Sequence, residues 1–106
     1  MKYHIELTNS ARTDLVEIYR YIAYELNSSR NAKGQIARLK KAIMSLDEMP
    51  ERYRRYENVK WAKRNMRIMP VDNYIIFYIP TDESKTVTIM RVMYRARDID
   101  KCLDEI

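Results

Sequence analysis

Two apolar stretches near the end of the chain leave few architectures open. Tyr74-Ile-Ile-Phe-Tyr-Ile79 is continuous hydrophobic sequence, as in a strand covered on both faces. Val87-Thr-Ile-Met-Arg-Val-Met-Tyr94 is rich in β-branched residues, which suit a pleated, half-buried surface. Between them, Pro80 to Lys85 is polar and reads as a hairpin loop. An antiparallel pair is therefore expected at the centre of a sheet. The second strand runs into closely spaced cations, Arg91, Arg95 and Arg97, with Tyr94 among them. A rigid strand would thus deliver charge and an aromatic ring to one rim.

The upstream sequence supplies what covers this hairpin. Lys2 to Leu7 alternates, with Tyr3, Ile5 and Leu7 on one side, as a half-buried strand does. Thr8, Asn9 and Ser10 offer helix caps. The apolar period then changes to about 3.6: Ala11, Leu15, Ile18, Ile22 and Leu26 predict one amphipathic helix from Ser10 to Leu26. Tyr19, Tyr21 and Tyr24 read as packing and surface cover of that helix. Asn27 to Asn31 interrupts the stripe, and Ala32, Ile36, Leu39, Ile43 and Leu46 predict a second helix, stopped at Pro50. A short connection makes the two an antiparallel αα-hairpin. Arg64 to Val71 alternates again, with Pro70 marking a strand end or an edge. Asp72-Asn73 is turn chemistry. Asp98 can cap a short terminal helix carrying Ile99, Leu103 and Ile106.

The expected fold is α+β, in the order β-α-α-β-β-β-α, with an antiparallel sheet and the αα-hairpin on one face. With 106 residues, one domain spanning 1–106 is the expectation. No second helical layer is foreseen for the opposite face. One apolar row, with Ile75 and Phe77 on one strand and Ile89 and Met93 on the next, is expected to line a groove open to a partner.

The chemistry present is basic and aromatic. Gly34 is the sole glycine, so no phosphate-cradling glycine loop exists. His4 and Cys102 are each alone of their kind, which offers no metal cluster. No metal and no cofactor are expected. A single cysteine and the alternating N-terminus fit a cytoplasmic protein without a membrane span. Net charge is +5, which favours polyanions or an acidic partner. Arg52 to Arg67 holds seven cations against one acid, Glu57, with Tyr53, Tyr56 and Trp61 interleaved. Two readings of the stretch from Arg52 to Lys63 stand side by side. It is either a solvated basic connector or a surface for nucleic acid, with cations on phosphates and rings for stacking. Arg91, among apolar residues, either points into the groove or pairs internally with an acid such as Asp98. Arg64, Arg67, Arg91, Tyr94, Arg95 and Arg97 are the candidates for target or nucleic-acid binding. Of these, Tyr94, Arg95 and Arg97 can also serve chemistry on RNA, because cations stabilise a pentacoordinate phosphorane.

The element order resembles that of the RelE/ParE superfamily of bacterial toxins from type II toxin–antitoxin (plasmid-stabilising, addiction-module) systems. The most specific likeness is Ile89-Met-Arg-Val-Met-Tyr-Arg-Ala-Arg-Asp-Ile99, similar to the ParE-like signature of hydrophobic-Arg-Val-hydrophobic-His/Tyr-x-x-Arg-Asp. Arg67 to Tyr78, and Tyr3, Ile5, Leu7 and Thr8 through Ala11, Asp14 and Leu15, support it. The resemblance implies one of two activities. ParE-like members bind DNA gyrase and block it. RelE-like members are mRNA interferases that cut message on the ribosome, without a metal. RNA-cutting members often carry Arg after the aromatic matched by Tyr74, where this chain has Ile75. The Tyr that some place in the C-terminal segment falls near Lys101. Arg95 and Arg97 match the basic segment after the last strand, and Arg67 lies close to where cutters place lysines. The incomplete set favours the gyrase inhibitor. The resemblance also implies a cognate antitoxin, forming a hetero-oligomer and covering the groove of Ile75, Phe77, Ile89 and Met93.

Overall fold

A computed structural model describes residues 2–58, 61 and 63–95. Arg97, Asp98, Lys101, Cys102 and the expected terminal helix lie outside the described residues. The elements are β1 (His4–Leu7), α1 (Asn9–Arg20), α2 (Ser29–Met44), β2 (Arg67–Val71), β3 (Tyr74–Thr81) and β4 (Thr86–Tyr94). The sheet order is β1-β4-β3-β2.

The helices form where the apolar period and the caps agree. Thr8 is extended and its hydroxyl accepts the Ala11 N–H, satisfying one orphan donor of the first turn of α1. Ser28 does the same for α2 through the Asn31 N–H. The predicted first helix runs to Glu25, with Leu26 as its C-cap, and its last turn, Tyr21–Glu25, widens to π geometry. Asn27 then adopts φ 53°, a left-handed conformation that asparagine tolerates, and the chain reverses into α2. The stripes of both helices bury Ala11, Leu15, Ile18, Ile22, Ala32, Leu39 and Ile43 against Tyr74, Ile76, Tyr78, Val87, Ile89 and Val92.

The sheet departs from expectation at one edge. β2, β3 and β4 are antiparallel, but β1 pairs with β4 in parallel, His4 opposite Thr86 through Leu7 opposite Ile89. The sheet is therefore mixed. β4 is longer than β1, and beyond Leu7 its open edge is served by α1. The Thr8 N–H donates to the Ile89 carbonyl, and the Thr8 hydroxyl donates to the Met90 carbonyl. The Asp14 carboxylate then accepts the Val92 N–H at 2.9 Å. Between Phe77 and Tyr78 the register slips by one residue, and the bulge falls in β4 at Met90. Ile89 and Val92 thus face the helices, while Met90 and Met93 face away.

The second face of the sheet is covered, contrary to expectation. The connector between α2 and β2 folds over it, and Trp61, Met66, Ile68, Phe77, Met90 and Met93 form a second buried cluster. Tyr56 packs edge-on against Phe77 with ring centroids 5.5 Å apart. Arg54, Arg55 and Tyr56 also pair with β2: Arg55 bridges to Arg67, the Tyr56 N–H donates to Met66, and the Ile68 N–H donates to Arg54. The connector is tied down from the other side by Tyr78, whose buried hydroxyl donates to the Pro50 carbonyl at 2.6 Å. Burial pushes the Tyr78 phenol up to about 12, with Arg67 and Arg52 pulling it back.

Two outcomes follow for stability. Asp14→Ala leaves the part-buried Arg91 guanidinium and the buried Val92 N–H without their carboxylate and is expected to cost about 3 kcal/mol in urea unfolding; a loss under about 1 kcal/mol contradicts the packing described. Tyr78 ionises near 10 when unfolded and near 12 when folded, so its contribution is whole below pH 10 and lost as pH rises through 12. Tyr78→Phe should cost about 1 kcal/mol at neutral pH. The urea midpoints of the two proteins should then converge between pH 10 and 12, and a constant gap contradicts the assignment.

Candidate target-binding site

The candidate cations among the described residues fall in three places. Arg91 is largely internal and reaches the surface only along the cleft. Its Nε and Nη2 donate to Asp14 at 2.7 and 2.9 Å, a bidentate pair with side chains 14% and 9% exposed. The internal ion pair is therefore the correct alternative for Arg91, with Asp14 as the acid. The reason is geometric: Asp14 sits on the core-facing stripe of α1, between Ala11 and Ile18, directly over the open edge of β4.

Arg67 is likewise used internally. It is 9% exposed, and its Nη1 donates to the carbonyls of Glu51 and Tyr53 at 3.0 and 2.7 Å. Its Nη2 meets the Glu51 carboxylate at 3.4 Å and the Asn65 side chain at 3.2 Å. Arg67 holds the connector on β2 and is not open to a phosphate. Arg64 lies beyond it in an exposed turn, with its guanidinium 4.8 Å above the Trp61 ring.

Tyr94 and Arg95 stand at the far end of the sheet. Tyr94 is 47% exposed and meets Tyr74 edge-on at 5.8 Å. Burial pushes the Tyr74 phenol up, and the neighbouring phenols of Tyr94 and Tyr21 add to it. Arg95 closes onto the β2–β3 turn: its N–H donates to Asn73 O at 3.0 Å and its Nη2 to Asp72 O at 2.9 Å. Arg67 lies opposite Tyr78 on β3, whereas Tyr94 lies opposite Tyr74. Four residues of strand separate those positions, roughly 13 Å at about 3.3 Å per residue. Arg67 is therefore not brought together with Tyr94 and Arg95. Arg97 lies outside the described residues.

The groove residues are also reassigned. Ile89 faces the helices and is fully buried there. Phe77 and Met93 are buried beneath the connector, and only Ile75 of the four is partly exposed. The open concavity is instead on the helical side, where α1 and the start of α2 diverge from the ends of β3 and β4. It is a cleft of about 1270 Å³, lined among others by Tyr21, Ile22, Leu26, Arg38, Tyr74 and Tyr94. Tyr21 and Leu26 are more than half exposed in it, and the π turn between them aims both outward.

One wall of the cleft is braced by a network that sequence reading missed. The Asp72 carboxylate accepts from Arg38 Nε at 2.8 Å and from Gln35 at 3.0 Å, tying α2 to the β2–β3 turn. Those hydrogen bonds, Arg38 foremost, hold the Asp72 carboxyl below the usual carboxylate range. Nothing in the linear spacing pairs residue 72 with 35 and 38. For Asp14 a signal existed: a carboxylate on an apolar stripe needs a buried partner. Among the described residues no group of His, Cys, Asp and Glu is placed to hold a metal ion, and no helix is long and apolar enough to cross a membrane.

Comparison with known proteins agrees with this geometry. The model of the family described as ParE toxin of the type II toxin–antitoxin system, parDE, matches residues 5–99. No curated protein sequence matches the chain. Among solved structures, the chain is similar to the chromosomal ParDE toxin–antitoxin system from P. aeruginosa, with a TM-score of 0.73 and 15% identity over 88% of this chain and 96% of that one. It is also similar to the RelBE2 toxin–antitoxin complex from Mycobacterium tuberculosis, with a TM-score of 0.63 and 23% identity over 92% and 95%. A mutant of the E. coli toxin RelE in the free state gives 0.64 and 17% identity over 100% and 99%. At these identities the structures establish the fold, and the family model, spanning most of the sequence, establishes the rest: this chain belongs to the ParE toxin family of type II toxin–antitoxin systems.

Proposed function

We propose that this toxin arrests growth by binding DNA gyrase in the cytoplasm, as the ParE-like branch does, and that it is not an RNA-cutting enzyme. The observation that carries this reading is the separation of the candidate cations. Phosphoryl chemistry on RNA needs several charged groups around one phosphate. Here Arg67 is buried against Glu51 and Tyr53, Arg91 is paired to Asp14, and Tyr94 and Arg95 stand about 13 Å further along the sheet. Among the described residues, what stays exposed at the end of β4 is a tyrosine beside an arginine, which suits protein recognition.

The cleft between the helices and the sheet end is the proposed seat of the cognate antitoxin. The ParDE and RelBE2 neighbours are toxin–antitoxin assemblies, which supports a partner of that kind. The cleft offers an apolar floor in Ile22, Leu26 and Tyr74, with polar walls in Gln35 and Arg38. That is the lining an amphipathic helix fills, with anchors one turn apart.

The test is a gyrase supercoiling assay with purified toxin, run beside a ribosome-bound mRNA cleavage assay. Loss of supercoiling with intact message is the expected outcome. Codon-phased cuts in the message with supercoiling unaffected would overturn the reading. Leu26→Glu is expected to leave the supercoiling block in place and to weaken antitoxin binding at least tenfold. Unchanged binding by titration calorimetry would remove the cleft as the antitoxin site.

A further inference from the structure

The basic connector carries more charge than the fold uses. Arg52 is spent on the end of α2 and the turn after it: its guanidinium donates to the carbonyls of Ser45, Glu48 and Met49, at 3.3, 2.6 and 3.2 Å for Nη1. Arg67 is spent on Glu51 and Tyr53. Arg54, Arg55, Lys63 and Arg64 remain exposed. They are gathered by the pairing of residues 54–56 with β2 and by the turn at 63–65, which the Arg55 Nε joins through Asn65 at 3.1 Å. Among the described residues, the carboxylate paired with this group is Glu57, 3.8 Å from Arg54 with side chains 90% and 68% exposed, a pair too solvated to neutralise the group.

We propose that this sheet edge binds duplex DNA through phosphate contacts from Arg54, Arg55, Lys63 and Arg64. The aromatic rings decide which nucleic acid is meant. Single strands are held by stacking bases on exposed rings. Here Trp61 is 2% exposed within the second cluster, and its face is covered by the Arg64 guanidinium. Tyr56 is turned edge-on into Phe77. The rings are structural, and what they leave outside is charge on a firmly paired edge. Charge without stacking platforms or base-reading groups suits a regular phosphate backbone and gives binding that is independent of sequence. This inference does not rest on the gyrase reading, because duplex binding and supercoiling inhibition are measured separately.

The test is fluorescence anisotropy of the full chain against a labelled DNA duplex and a single strand of equal length, across a salt series. Four phosphate contacts predict a log–log salt slope of roughly −3.6, and each Arg or Lys changed to Ala should reduce it by about 0.9. A variant with Arg54, Arg55, Lys63 and Arg64 all changed to Glu should lose at least tenfold in duplex affinity while keeping its circular dichroism. The control changes Arg12, Lys33, Lys40 and Lys41, exposed on the helices, to Glu, for the same net charge. If both variants lose binding equally, total charge and not this edge is responsible, and the proposal fails. Tighter binding to the single strand, lost in Trp61→Phe, would equally overturn it.

Discussion

The Asp14–Arg91 pair is the joint on which the two layers turn. β4 lies between β1 and β3, but β1 ends at Leu7, opposite Ile89. Past that point β4 must find partners for its edge or leave them unsatisfied, which is costly for buried backbone. Thr8 serves the Ile89 and Met90 carbonyls, and one carboxylate on α1 completes the edge. It accepts the Val92 N–H and holds the Arg91 guanidinium at two atoms. The interaction fixes the rotation of α1 over the sheet, and thereby which residues of α1 fall into the core and which, like Tyr21, face the cleft. A buried pair of this sort contributes more to specifying the arrangement than to its net stability, since desolvation offsets much of the attraction.

Several other arginines are used in the same way. Arg52 closes the end of α2, Arg67 pins the connector, Arg38 braces the β2–β3 turn through Asp72, and Arg95 closes on the same turn. The guanidinium suits this work because its planar fork satisfies several carbonyls or a whole carboxylate at once. Two exposed features of the described residues lie apart: a cleft of mixed polar and apolar lining on the helical side, and a cationic edge beside β2.

The helices, the hairpin strands and the caps were legible because period and capping chemistry are local. The α+β order and the αα-hairpin stand as read from the described residues. The parallel placement of β1 was not legible, since alternation shows that a strand exists and not which neighbour it chooses. The bulge at Met90 flipped the alternation along β4, so Ile89 went to the helical core and Met93 to the other face. The cover over that second face was hidden because the connector has no period: its tryptophan packs as a single knob. The candidate site fared less well for a related reason. Residue type marks Arg67 and Arg91 as cations for a target, and only the fold shows that both already have partners.

Whether Arg91 serves the architecture or the target is therefore the decisive question. The direct measurement is growth arrest by the double variant Asp14→Asn with Arg91→Met. The asparagine oxygen keeps an acceptor for the Val92 N–H, while the pair of charges is removed together. The account predicts a folded protein that still arrests growth. A variant that folds, by circular dichroism and urea unfolding, yet has lost its toxicity would contradict it and return Arg91 to the target surface.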